Sequence, residues 1–163
     1  MQLFPPITFR FGRHGSTDAR SRSSIPSCLD PHHHLWDRHG WRYLLDDLRA
    51  DANSGHNIVA TVFIQARSMY RQTGPVELRP VGETEFVNGV AAKSASGTYG
   101  KTRVCAGIVG HADLMLGDRV EPVLAAHIRA GGDRFRGIRH TTTWDADPTM
   151  GQPSLCNVTI YVG

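Results

Sequence analysis

A chain of 163 residues with 40% hydrophobic and 20% charged content has the size and makeup of one ordinary globular domain. Its net charge of +3 comes from Arg10, Arg13, Arg20 and Arg22 against Asp18 within residues 1–26, so the rest, with 14 basic and 14 acidic residues, is neutral. A neutral body argues against a nucleic-acid partner, and no apolar run approaches the roughly 18 residues needed to span a bilayer.

Residues 1–26 are rich in Arg, Ser, Gly and Pro without sustained periodicity, and are expected to be a disordered basic leader. An organelle transit peptide and an upstream extension are the other readings. The leader has no apolar core of signal-peptide type. Cys28, Cys105 and Cys156 are an odd, widely spaced set. They argue against a disulfide framework and for a reducing, cytoplasmic setting.

Cys28-Leu29-Asp30-Pro31-His32-His33-His34-Leu35-Trp36 is the first expected strand. Extended backbone puts alternate side chains on one face, so His32 and His34 point one way with Asp30, and His33 points the other. Two imidazoles on a rigid strand are the start of a metal or polar-substrate site. Asp37 to Trp41 is expected to be a loop, and Tyr43 to Ala52 a helix with Leu44, Leu45 and Leu48 on one face, stopped by Gly55.

Ile58 to Ile64 is a nearly continuous β-branched and aromatic run, as in a strand covered on both faces. Segment 70–82 reads as loop, and Glu83 to Ser96 as helix with Phe86, Val87, Val90 and Ala91 as its apolar stripe. Val104 to Val109 is a third strand, Val120 to Ala130 a helix, and Phe135 to His140 a fourth strand. Residues 141–153 read as loop, and Leu155 to Val162 alternate weakly, as a short strand would. Strand and helix alternate, which predicts βαβ units and a parallel sheet.

Ala95-Ser96-Gly97-Thr98-Tyr99-Gly100-Lys101-Thr102 imitates a relaxed phosphate loop. A phosphate loop follows a strand and opens a helix; here helix precedes and strand follows, so nucleotide binding is not expected. Asn157-Val158-Thr159 is a sequon without a route to modification in the cytosol.

In a parallel α/β sheet, chemistry gathers at the C-terminal ends of the strands. His32 with His34, Gln65 with Arg67, His111 with Asp113, and Arg139 with His140 all fall there. A guanidinium at a strand end can hold a carboxylate in bidentate fashion. Arg139 is therefore the expected substrate anchor, with His140, Gln65 and Arg67 as further substrate-binding residues. Arg136, on the other side of the strand, is expected to be structural, and Asp113 has a capping role before Leu114 as its plain alternative.

Asp30-Pro31-His32-His33-His34-Leu35-Trp36, Thr61-Val62-Phe63-Ile64-Gln65, Gly107-Ile108-Val109-Gly110-His111-Ala112-Asp113-Leu114 and Phe135-Arg136-Gly137-Ile138-Arg139-His140 together resemble the N-terminal half of the amidohydrolase-related branch of the amidohydrolase superfamily, which includes lactonases similar to pyrone-dicarboxylate lactonase. The resemblance implies a partial (β/α)₈ barrel of about four parallel strands with flanking helices, covering residues 27–147 ahead of a divergent tail at 148–163. It implies a hydrolase in which water attacks a lactone or related C–O or C–N bond of a small carboxylated substrate. His32 and His34 match the positions that hold a divalent ion, zinc foremost, in relatives that use one; some lactonases of this branch require none.

The resemblance stops short of a full barrel, which takes eight strands and roughly 250 residues. The family's later histidine, and the aspartate that activates water, have no match after Asp147. The alternative expectation is therefore a truncated or frame-shifted, inactive half-barrel. It would associate with itself through two exposed sheet edges. A simple metal-binding module is the third reading.

Overall fold

The computed structural model describes residues 26–38 and 40–141 together with the backbone of 157–161. The expectations for the leader up to residue 25, the loop beyond Thr141 and Cys156 lie outside the described residues. The fold is α/β. Strands β1 (Ser27–His33), β4 (Asn57–Ile64), β5 (Arg103–Gly110) and β6 (Phe135–Thr141) run parallel in the order β1-β4-β5-β6, a curled half-barrel sheet flanked by helices. Helix α2 (Val81–Ala95) joins β4 to β5 and helix α3 (Glu121–Gly131) joins β5 to β6, while the shorter α1 (Leu45–Ala52) precedes β4.

The β-branched runs read as doubly covered strands are so toward their C-terminal ends, while Val59 in β4 is 43% exposed and Ile58 is half-buried. Along β4, Ala60, Thr61, Phe63 and Ile64 are buried, and along β5 everything from Val104 to Gly110 is buried except Ala106. Phe63, Ile108, Val123 and Val87 are fully enclosed in one core that also takes Leu35, Leu45 and Leu48. Burying a side chain of this size is worth about 1.5–3 kcal/mol.

The structure differs from the sequence reading in three places. The expected loop at Asp37 to Trp41 is part of a two-stranded antiparallel hairpin, β2 (Trp36–Arg38) with β3 (Trp41–Tyr43). Its turn passes through Gly40 at φ +76°, a conformation glycine adopts without steric cost. Trp36 holds the hairpin together, with ring centroids 4.9 Å from Trp41 and 5.4 Å from Tyr43.

Helix α2 begins at Val81 rather than Glu83, and a 3₁₀ turn (Val76–Leu78) breaks the expected loop. The preceding loop lies hard against the first turn of α2. A Cβ added to Gly82 would sit 2.7 Å from the Arg71 amide nitrogen and 2.8 Å from the Met69 carbonyl oxygen.

Strand β7 (Asn157–Tyr161) is present where weak alternation suggested it, but it pairs with β6 antiparallel. It covers the side of β6 and becomes a terminal strand itself, so among the described residues the sheet ends in β7 on one side and in β1 on the other. That edge carries Pro31, which lacks a donor for the ladder and is tolerated on edge strands.

Candidate functional site

The bend at Asp30–Pro31 shapes the end of β1. The register with β4 slips between Asp30 and His33, and the Asp30 carboxylate accepts the His32 amide N–H at 3.0 Å. Beyond the slip, the expected parity holds. His33 turns inward, 7% exposed, with Nε2 2.8 Å from the Thr61 hydroxyl. His32 and His34 meet on the outside, their Nε2 atoms 3.2 Å apart and their rings edge to face.

The backbone fixes the tautomer of His34. Its Nδ1 lies 2.7 Å from the Ile64 carbonyl oxygen, which can only accept, so Nδ1 carries the proton and Nε2 of the neutral ring presents a lone pair. Burial lowers the pKa of His34, with His32, Arg139 and Arg38 pushing the same way against the Ile64 carbonyl. A neutral ring held by its far nitrogen is how proteins prepare a histidine ligand. Two nitrogens bound to one zinc ion at about 2.1 Å lie roughly 3 Å apart, so the His32–His34 spacing fits a shared ion. No group of three or more His, Cys, Asp or Glu side chains arranged for a metal occurs among the described residues. The pair by itself offers two donors, fewer than the three or four protein ligands of a zinc site.

The segment after β4 is gripped from several sides. His34 donates to the Ile64 carbonyl, Arg139 Nη2 to that of Gln65 at 2.8 Å, and Arg38 Nη1 to that of Ala66 at 3.2 Å. The amides of Ala66 and Ser68 both donate to Oε1 of Glu83, at 3.0 and 2.8 Å. Arg67 between them, and Met69 beyond, adopt φ of +57° and +56°. Such left-handed turns at non-glycine residues are uncommon and gather at functional sites.

Glu83 was not among the expected site residues. It is 1% exposed, and burial raises its pKa to about 7, against the pull of the Ser68 and Ala66 amides and of Arg139 and Arg38. A signal for it existed. Glu83, Val87 and Ala91 recur at four-residue spacing and are all buried, so the carboxylate sits on the helix's inner face. A stripe traced through apolar residues alone passes it over.

Of the expected substrate-binding residues, Gln65 and Arg139 come together at this bend. Arg67 is exposed above it, and its charge reaches both Arg139 and His111. His140 stands apart with His111 and Asp113. The His111 and His140 rings stack at 5.9 Å, and His140 Nδ1 is 3.8 Å from the Asp113 carboxylate. Asp113 caps the turn that follows by accepting the Met115 amide at 2.9 Å, its plain role, and Arg136 bonds only to the Phe135 carbonyl. His111 and Asp113, with Tyr70, Arg79, Pro80 and Leu116, line a cavity of about 530 Å³ that His32, His34 and Arg139 do not border. The rim foreseen as one site is two neighbouring groups.

Among the described residues, several buried polar atoms on this rim have no hydrogen-bond partner: Gln65 Oε1, Tyr70 OH, Glu83 Oε2, Arg139 Nε and His140 Nδ1. An unmet buried polar atom costs about 1–3 kcal/mol, so a group of them marks a surface suited to a polar ligand. One arrangement that resembles a catalytic pair is excluded. Cys105 Sγ lies 3.8 Å from His33 Nε2, but the thiol is wholly enclosed and burial pushes its pKa up. A thiol so placed is inert.

Comparison with protein-family models, with curated proteins and with solved structures yields no match to this chain.

Proposed function

We propose that this chain carries part of a hydrolase site of the amidohydrolase-related kind, directing water at a lactone or related C–O or C–N bond of a small carboxylated substrate. The observation that carries this reading is the His32–His34 pair, with Nε2 atoms 3.2 Å apart and the His34 lone pair fixed by the Ile64 carbonyl. In this reading His32 and His34 hold a divalent ion, zinc by the chemistry of its donors, or polarise the substrate carbonyl themselves. Zinc supplies Lewis acidity toward a carbonyl or a bound water. Arg139 has donors beyond the one spent on Gln65, and its Nε lacks a partner, which suits it to a substrate carboxylate. Gln65, Arg67 and His140 are assigned to the rest of the substrate. The buried Cys105 thiol supports a reducing compartment such as the cytosol.

A second reading is favoured by the terminal strands β1 and β7, each paired on one side only among the described strands. It makes the chain an inactive half-barrel that associates with itself.

Hydrolysis of a panel of lactones, with and without added zinc, separates these readings. Turnover that vanishes in the His32→Ala/His34→Ala double variant supports the hydrolase. Zinc bound at one equivalent without turnover assigns a metal-binding module instead. A chain that neither binds zinc nor turns over, yet self-associates, is the inactive half-barrel.

A further inference from the structure

The 64–68 bend is the common support of the candidate site, and its shape is not one the chain adopts freely. His34, Arg139 and Arg38 each take their direction from a carbonyl of Ile64, Gln65 or Ala66. Arg67, in the middle, is held at φ +57°, which costs an L-residue about 1–2 kcal/mol. Something must hold it there.

The two amides flanking Arg67, those of Ala66 and Ser68, converge on one oxygen, Glu83 Oε1. Glu83 stands in the first turn of α2, beside Gly82, where the absence of a side chain lets the Met69–Arg71 backbone lie against the helix. The helix thereby meets the loop at two points, one steric and one hydrogen-bonded. The Gln65 amide bond to the Val109 carbonyl holds the Ile64–Gln65 peptide, and with it the carbonyl that His34 meets, but leaves the Gln65–Ala66 peptide and Arg67 unconstrained.

We infer that Glu83 is a positioning residue of the candidate site, whose Oε1 holds the Gln65–Ala66 peptide through its Ala66 amide and so aims, through the Gln65 carbonyl, the Arg139 guanidinium. The role is one of acceptor geometry. An oxygen at that distance is required, and a negative charge is not. Glu83 is enclosed and does not touch substrate. The consequence for a substrate carboxylate rests on the proposed function; the consequence for the Arg139–Gln65 bond does not.

Two substitutions separate geometry from charge. Glu83→Gln keeps an oxygen at the same reach without the charge, and Glu83→Asp keeps the charge but withdraws the oxygen by one methylene. Amide exchange at Ala66 reads the clamp, and ¹⁵N NMR of the Arg139 guanidinium reads its bond to the Gln65 carbonyl as slowed rotation of Nη2. Glu83→Gln is expected to keep both rates within threefold of the wild type, and Glu83→Asp to raise both at least tenfold. Loss in Gln with retention in Asp would overturn the inference in favour of charge, and no change at Arg139 in either folded variant would overturn it outright. Both readouts stand whether or not the chain turns over a substrate. Amide exchange in the wild type is a test that needs no variant, because unprotected Ala66 and Ser68 amides would remove the clamp itself.

Discussion

The histidines inside the sheet and those on its rim share a chemistry and meet different fates. His33 and His127 are enclosed, each set against a threonine hydroxyl at 2.8 Å, Thr61 for one and Thr84 for the other. His127 also reaches the His111 carbonyl through Nε2 at 2.9 Å, so both its nitrogens are used. Burial lowers the pKa of each inner ring to about 4. His32 and His34, one residue either side of His33, have Nε2 atoms facing each other at the surface. An inner histidine is a polar brace in the core, while His34 on the rim is held by its far nitrogen and turns the other toward His32. In the run of three histidines, strand parity is what separates His33 from its two neighbours.

The largest expected effect on that contrast is removal of an inner ring. His127→Ala leaves a void and strands the Thr84 hydroxyl, and should lower stability by about 3–5 kcal/mol in urea unfolding. A loss below about 1 kcal/mol would mean the inner histidines are no braces.

Stability against pH tests the same contrast without mutation. The inner rings stay neutral in the fold to about pH 4 but take protons near 6.5 when unfolded. Their contribution is therefore fully present above pH 6.5 and is lost as pH falls toward 4. Glu83 acts in the opposite sense. Its folded pKa of about 7 exceeds the ordinary 4.5, so its contribution is present below pH 4.5 and lost as pH rises through 7. Two rings outweigh one carboxyl, so the melting temperature should fall on acidification from pH 6.5 to 4.5. In Glu83→Gln the opposing effect is gone, and the decline should steepen by up to roughly 3 kcal/mol.

Gly82→Ala probes the support of the rim rather than its ligands. The added methyl meets loop backbone on two sides, and a loss of about 1–3 kcal/mol is expected, read by denaturant midpoint. The smallest change should come from His32→Ala, because that ring is exposed. It should alter stability by less than about 0.5 kcal/mol while weakening zinc binding at least tenfold by calorimetry. A large stability loss there would erase the distinction between brace and ligand.

Much of the fold was legible because β-branched runs such as Ile58 to Ile64 and spaced leucines such as Leu45 and Leu48 carry their periods openly. The hairpin at Trp36–Tyr43 was not, since its strands are three residues each and it is held by stacked aromatics rather than by alternation. The direction of β7 is set by what it meets, an unpaired β6, and no local pattern encodes it. At the site, parity placed His32 and His34 correctly despite the slip at Pro31. The division of the rim was hidden, because the His111–His140 stack and the reach of Arg139 to Gln65 depend on sheet curvature. Glu83 was visible in spacing but disguised by its charge, since buried acids are rare.

The antiparallel strand beside β6 bears on how many copies could gather. A sheet with two open sides can add neighbours without end and grow into a filament. With β7 in place, the described sheet ends in two unlike strands, β1 on one side and β7 on the other, and either can meet its like across a dimer axis. Two such edges facing each other about a two-fold axis use one another up. A copy paired through β1 still offers β7, so assembly by strand pairing is expected to pass beyond a pair, and sedimentation across a concentration series should show species larger than dimers.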